Sequence, residues 1–241
     1  MHCNRDDDCL QLYARLAGFL YLFVIAIFDA ADYFIISPAI IPGDFVRSAR
    51  NVLAGETLYR FGLAAQFAAS WLTIPLAASL YVLTKRVDTN LALFALGFRV
   101  AEAALGSICT LSSFVAVRLY TGTAGAFSTA SAQSRVQLLS RFYSGCFQMT
   151  VIFFSAGSIL FFFLLLRSRM IPRLLSAFGI FASVLVTILG FANLIVPSYS
   201  GMLSPGWIAI LLAEVATGLW LLFAGVKLDY WNAHELSSDG R

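Results

Sequence analysis

The sequence predicts an all-α integral membrane protein whose six transmembrane helices form one bundle. Of its 241 residues, 60% are hydrophobic and only 12% are charged, whereas soluble domains carry roughly 25% charged residues. A hydrocarbon core about 30 Å thick needs about 20 apolar residues of helix. Six runs meet this requirement, near Leu16–Ile36, Leu58–Leu83, Leu91–Val117, Phe142–Leu166, Leu174–Ile195 and Trp207–Val226. Residues 14–229 then form a single transmembrane domain, between a short polar N-terminal tail (1–13) and a polar C-terminal tail (230–241).

Residues outside the apolar cores of the runs predict how the first helix is retained and what structure the longer connections adopt. The first run is too long, and the segment before it too acidic, for a cleaved signal peptide, so we expect it to remain as the first helix. Asp44 can then cap a short helix that Gly55 ends. The apolar side chains of this helix keep to one face, as expected for a helix along the membrane surface. Further on, the stretch Gly122–Ser134 is small and polar, which predicts a flexible loop.

The distribution of Lys and Arg predicts the orientation of the bundle. Basic residues are more frequent on the side that holds both termini, nine against six. Two very short connections, Thr84–Asn90 and Arg167–Arg173, are among the basic ones. Because cytoplasmic loops carry an excess of Lys and Arg, we expect both termini in the cytoplasm.

Ionisable residues inside the apolar runs are the main indication of function, because each costs a few kcal/mol in a bilayer and persists only when paired or facing a cavity. Asp29 and Asp32 lie i, i+3 apart, so we expect both carboxyls to point at the same volume. One of these two should carry a proton unless an arginine of another run reaches them. Arg99 and Glu102 have the same spacing in the third run, and Glu214 lies near the centre of the sixth. The four acids are the candidate catalytic groups.

Polar and aromatic side chains of the other runs are the candidate substrate-binding residues. With the termini inside, the polar ones all fall near the middle of the membrane or in its outer half, which predicts a polar cavity that faces the outer side. The set is Arg99, Arg60, Gln66, Gln148, Tyr143, Asn193, Trp71 and Trp220. We expect most of the 22 Phe residues to face lipid or to pack between helices.

A purely structural role is the alternative for these charges. Arg99 can neutralise Glu102 or Glu214, and Arg60 can pair with Glu56 one turn away. Ion pairs of this kind hold helices together without any chemistry.

Short motifs follow one another in a fixed order between residues 14 and 227. They are Ala14-Arg15-Leu16-Ala17-Gly18-Phe19-Leu20-Tyr21-Leu22, Ile41-Pro42-Gly43-Asp44, Glu56, Leu58-Tyr59-Arg60, Phe98-Arg99, Phe153-Phe154, Arg167-Ser168, Ile171-Pro172-Arg173, Phe191-Ala192-Asn193, Val196-Pro197, Glu214 and Trp220-Leu221. In these motifs the chain resembles a bacterial multi-pass membrane family catalogued as domain of unknown function 4386. The resemblance implies a helical protein of the bacterial inner (plasma) membrane with no agreed activity. The chain departs from the family at Gln66, where the family tends to have an acid.

The intramembrane acids and the aromatic content favour a membrane-embedded enzyme. A carboxyl kept neutral by desolvation is a strong acid toward an alkene, and aromatic faces stabilise the cations that form. This is the chemistry of a terpene cyclase acting on a lipophilic, isoprenoid-like substrate. The alternatives are a small-molecule or proton-coupled binding or transport protein, and a structural membrane subunit without catalysis.

The expected partners are membrane lipid and the lipophilic substrate. The basic residues are scattered singly, which argues against nucleic-acid binding. Both histidines, His2 and His234, lie in the tails, so we expect no metal and no cofactor. Serine or cysteine nucleophilic catalysis is disfavoured for the same reason, since it needs a base such as histidine.

Overall fold

The computed structural model of the chain describes residues 6–122, 129–196 and 203–227, and these residues form helices without any strand. The elements are α1 (Asp6–Ala31) with a π-helical turn (Asp32–Ile36), α2 (Ser37–Ala39), α3 (Phe45–Ala54), α4 (Glu56–Thr84), α5 (Thr89–Gly122), α6 (Thr129–Ser168), α7 (Arg173–Ile195), and α8 (Leu203–Leu219) with a second π-helical turn (Trp220–Ala224). The predicted all-α fold is thereby confirmed.

Within the described ranges, six helices are long and apolar enough to cross a membrane, as the sequence predicts. All six begin before the predicted starts, and two of them do so by more than two helical turns. The first begins at Asp6, inside the predicted polar tail, and the fourth begins at Thr129, not near Phe142. Residues 129–134 of the predicted flexible loop are therefore helical, while residues 123–128 lie outside the described residues. Hydropathy locates the apolar part of a helix and does not locate its polar ends.

The short helix after the first span is confirmed. The Asp44 side chain accepts a hydrogen bond from the backbone N–H of Arg47 at 2.9 Å, and Gly55 follows the last helical residue. The apolar face of α3 is anchored by Val52, which is fully buried.

The chain divides into two compact units. The first unit comprises Met1–Leu22, Thr73–Glu102 and Val151–Arg241, and the second comprises Phe23–Leu72 and Ala103–Thr150, each within the described residues.

Small residues allow close helix packing in the first unit. A Cβ atom added to Gly18 would lie 2.6 Å from the carbonyl oxygen of Gly218, so α1 and α8 approach backbone to backbone. This use of small residues is typical of packing between membrane helices. Near the same end of α1, the Gln11 amide donates to the carbonyl of Val226 at 2.6 Å and accepts from its N–H at 3.2 Å. Gln11 thus satisfies backbone groups just beyond the second π-helical turn.

The second unit has an aromatic and aliphatic core. It contains the buried residues Val52, Tyr59, Leu63, Val117, Tyr120 and Val136. Phe45 of α3 stacks on Tyr120 with ring centroids 5.4 Å apart. Helix α3 is therefore fixed to α4, α5 and α6 through side chains of this unit.

Phe side chains divide between surface and core, as the sequence predicts. Phe61 and Phe223 are more than 70% exposed, as expected of side chains that face lipid. In the run 161–163, Phe161 and Phe162 are buried while Phe163 is exposed.

Candidate functional site

Arg99 and Glu102 of α5 form a buried ion pair in the first unit. The guanidinium NH1 lies 3.1 Å from Glu102 Oε2, and the two side chains are only 4% and 14% exposed. The i, i+3 spacing places both groups on one face of the helix, as the sequence predicts. The pairing of Arg99 with Glu102 is also what the structural alternative requires.

Glu214 of α8 joins this pair. It is buried and interacts electrostatically with Arg99, and it repels Glu102. The Tyr21 side chain of α1 is buried within electrostatic range of all three charged groups. We call Arg99, Glu102 and Glu214 the charged cluster. It contains two carboxyl groups for one guanidinium.

Hydrogen bonding in the charged cluster is incomplete. Among the described residues, Arg99 Nε and NH1, Glu102 Oε2 and Glu214 Oε1 are buried without an aligned hydrogen-bond partner. The Arg99–Glu102 contact is therefore held by charge, with poor hydrogen-bond alignment. Buried polar atoms in this state carry a desolvation cost of about 1–3 kcal/mol each, which marks the cluster as a candidate functional site.

The guanidinium of Arg99 lies against an aromatic ring. Its central carbon lies 5.0 Å from the centroid of the Phe154 ring, within the range of a cation–π interaction. Phe154 in turn stacks on Trp207, with centroids 6.5 Å apart. Gly157 leaves room for the arginine, since a Cβ atom there would lie 3.0 Å from Arg99 Cγ and Cδ. Neither the aromatic pair nor Gly157 was identified from the sequence, because no spacing rule links α6 to α5.

Two other predicted binding residues each bury a polar side-chain atom in the first unit. The Asn193 side-chain oxygen and the Trp220 indole nitrogen both lack a hydrogen-bond partner among the described residues. Trp220 opens the π-helical turn at the end of α8. Both side chains therefore have an unused hydrogen-bonding atom inside the protein.

The second unit contains a cavity of about 460 Å³. Three of the predicted site residues line it: Asp32, Gln66 and Tyr143. The other lining residues are Ile36, Ser37, Ile40, Pro42, Tyr59, Ser112, Ser113, Ala116, Tyr120, Val136, Leu139 and Ser140. The hydroxyl groups of this lining were missed in the sequence, because isolated Ser and Tyr residues in apolar helices have no distinctive pattern.

Asp32 is held at the cavity by two donors. Its Oδ2 accepts from the Ser37 hydroxyl at 3.0 Å, and its Oδ1 accepts from the Gln66 amide nitrogen at 3.3 Å. Ser37 reaches back to Asp32 across the π-helical turn that begins at Asp32. Gln66, which is buried on α4, contributes from a second helix.

The expectation that Asp29 and Asp32 point into one volume needs correction. The two carboxyls are close enough to interact electrostatically, but Asp32 lines the cavity while Asp29 is exposed on the surface of the unit. Three residues of α-helix rotate a side chain by about 300°, which leaves two such groups about 60° apart. At the rim of a cavity this offset separates a lining residue from an exposed one.

The remaining candidates of the second unit lie elsewhere. Arg60 pairs with Glu56 through Nε at 2.7 Å, as the structural alternative predicts, and both side chains are more than one-third exposed. Trp71 is 60% exposed, so its ring lies on the surface of the unit. The Gln148 side-chain oxygen is buried without a hydrogen-bond partner among the described residues.

The six apolar helices and the buried charges define a multi-pass integral membrane protein with ionisable groups inside its helices. A family model described as "Domain of unknown function (DUF4386)" matches residues 16–225, and the chain belongs to this family. No curated protein and no solved structure matches the chain. In the described part of the chain, no group of three or more His, Cys, Asp or Glu side chains is arranged to hold a metal ion.

Proposed function

We propose that the protein is a membrane-embedded enzyme that protonates a lipophilic, isoprenoid-like substrate with a carboxylic acid, as a terpene cyclase does. The observation that carries this proposal is the charged cluster, in which Glu102 pairs with Arg99 and the buried Glu214 lies within electrostatic range of both. With all three groups ionised, the cluster would hold one net negative charge. A buried net charge costs several kcal/mol, and one proton on a carboxyl removes it.

The proton of the cluster is then available for chemistry. Its transfer to an alkene carbon leaves a carboxylate next to Arg99 and a carbocation on the substrate. The ring of Phe154 lies beside the cluster and the ring of Trp207 stacks on the Phe154 ring, and aromatic faces stabilise such cations. Loss of a proton from the rearranged cation to the same carboxylate restores the acid, so the net reaction is an isomerisation or cyclisation that needs no cofactor or metal.

The proposed location of the protein is the bacterial plasma membrane, and its charge distribution supports the proposed orientation there. The excess of Lys and Arg on the side of the termini supports an orientation with both termini in the cytoplasm, in the bacterial plasma membrane. The lipid phase then supplies the substrate laterally.

Turnover in D₂O tests the acid chemistry. The purified protein in lipid nanodiscs is incubated with linear polyprenyl alcohols and epoxides, and products are analysed by mass spectrometry. We expect a cyclised or isomerised product that contains deuterium at the protonated carbon. Glu214→Gln and Glu102→Gln should each lower the rate by about 100-fold or more, since general acid catalysis contributes 10²–10⁴-fold.

The matched control is Glu56→Gln, which removes a carboxyl that pairs with Arg60 outside the charged cluster. It should retain full turnover. If the parent protein consumes no isoprenoid while Glu214→Gln and Glu102→Gln both fail to fold, the cluster is structural and the protein is a membrane subunit without catalysis.

A second candidate function is the binding or transport of a small molecule. The cavity of about 460 Å³ in the second unit favours it, since ligand pockets commonly measure about 300–1,000 Å³. Binding at this cavity does not require the acid chemistry of the charged cluster.

A further inference from the structure

The cavity of the second unit has the lining of a cation site. Asp32 is the one carboxyl-bearing residue among the described residues that line it. Much of the remaining lining comes from hydroxyl-bearing residues: Ser37, Ser112, Ser113, Ser140, Tyr59, Tyr120 and Tyr143. The described lining thus carries one carboxyl group and several hydroxyls, and it has no basic side chain that could bind an anion.

Two hydrogen-bond donors hold the Asp32 carboxyl group at the cavity. The Gln66 amide nitrogen can only donate, so Asp32 Oδ1 accepts at that contact. The Ser37 hydroxyl donates to the other oxygen. Both Asp32 oxygens therefore accept a hydrogen bond, and Asp32 is among the residues that line the cavity. Both donors are neutral groups, so neither places a positive charge beside Asp32.

Three tyrosines add aromatic surface. Tyr59, Tyr120 and Tyr143 all line the cavity, and both Tyr59 and Tyr143 lie within electrostatic range of Asp32. A carboxylate among aromatic rings is the arrangement that binds organic ammonium groups, through charge and cation–π attraction together. The surrounding hydroxyls favour an ammonium that has N–H groups to donate.

The size of the cavity excludes a bare metal ion as its sole occupant. A volume of about 460 Å³ lies within the range of about 300–1,000 Å³ that is common for small-molecule sites. Aliphatic side chains complete the lining, among them Ile36, Val136 and Leu139. A ligand that fills this space therefore has a hydrocarbon body as well as a charged head.

We propose that the cavity binds a primary organic ammonium with a short hydrocarbon body, with Asp32 as the counter-ion and the three tyrosines around the head group. This proposal rests on the second candidate function, and it is independent of proton transfer in the charged cluster. The same ammonium chemistry occurs in free amines and in the ethanolamine head group of a lipid.

Binding of n-hexylammonium tests the proposal, with 1-hexanol as its uncharged counterpart. Affinities are measured by calorimetry on the full-length protein in nanodiscs of phosphatidylglycerol and phosphatidylcholine. Hexylammonium should bind at least about 10-fold more tightly than hexanol. Asp32→Asn keeps the size of the side chain but removes the charge, and it should weaken hexylammonium binding by about 30-fold or more.

Two further variants serve as a second probe and a control. Tyr143→Leu removes one ring and should weaken binding by about 2- to 30-fold, the range of a cation–π contact. Glu56→Gln removes a carboxyl of the same unit outside the cavity and should leave the affinity unchanged. Circular dichroism and size-exclusion chromatography confirm that each variant is folded, and Tyr143→Leu carries the test if Asp32→Asn does not fold.

The outcomes separate the possibilities. Equal binding of hexanol and hexylammonium, or full hexylammonium affinity in the folded Asp32→Asn or Tyr143→Leu variant, overturns the proposal. If nanodiscs that contain phosphatidylethanolamine reduce the apparent hexylammonium affinity, the ligand is the lipid head group, and if they do not, it is a free amine. The Glu214→Gln variant separates this proposal from the proposed enzyme activity. It should lose turnover of the isoprenoid and still bind hexylammonium with the affinity of the parent protein.

Discussion

Replacement of Arg99 by Met should strongly destabilise the protein. The side chain is 4% exposed, so solvent does not screen its interactions with the two carboxyls of the charged cluster. Removal of one partner from a buried ion pair typically costs about 3–5 kcal/mol, because it leaves an uncompensated buried charge. For a chain of this size, 1 kcal/mol corresponds to a shift of about 2–4 °C in Tm, so we expect a loss of about 6–20 °C.

The assay is thermal unfolding in detergent, followed by circular dichroism. Arg60→Met is the matched control, since its ion pair with Glu56 is more than one-third exposed and exposed pairs contribute about 0–1 kcal/mol. The triple variant Arg99→Met, Glu102→Gln, Glu214→Gln removes both carboxylates together with the cation and should recover most of the loss. A Tm for Arg99→Met within 2 °C of the parent, or a triple variant as unstable as the single one, would refute the reasoning.

Three further substitutions test the packing and hydrogen bonds. Gly157→Val should cost about 1–3 kcal/mol by overpacking against Arg99, whereas a fully retained Tm would show that the arginine has free space. Gln11→Leu should cost about 1–3 kcal/mol for each backbone group of Val226 that it leaves unsatisfied, and an unchanged Tm would mean that lipid or water replaces the amide. Asp44→Ala should cost about 0.5–2 kcal/mol through loss of the helix cap, and it should increase backbone hydrogen exchange in α3; unchanged exchange would contradict this role.

The sequence predicts those features that depend on neighbours along the chain. The number of membrane helices follows from apolar run length, and the cap at Asp44 follows from the residue types around it. The pairing of Arg99 with Glu102 and of Arg60 with Glu56 follows from helical spacing.

Features that depend on contacts between helices could not be predicted. The position of Phe154 beside Arg99 depends on how α6 packs against α5. The hydrogen bond from Gln66 to Asp32 joins residues 34 positions apart.

The π-helical turn at Asp32 also changes which residues face the cavity, and it ends directly before Ser37 and Pro38. Pro38 has no backbone N–H, so the regular hydrogen-bond ladder cannot continue there. An ideal helical wheel does not include this change of register.

The proton shared by Glu102 and Glu214 is the central claim, and infrared spectroscopy measures it directly. With ¹³C-labelled glutamate carboxyls, a protonated side chain gives a C=O stretch separate from that of a carboxylate. We predict one protonated glutamate at neutral pH in the parent protein. This band should disappear in Glu214→Gln and equally in Glu102→Gln, because the remaining carboxyl then balances Arg99 as an ion. Absence of the band from the parent protein, or its persistence in both variants, would contradict the account.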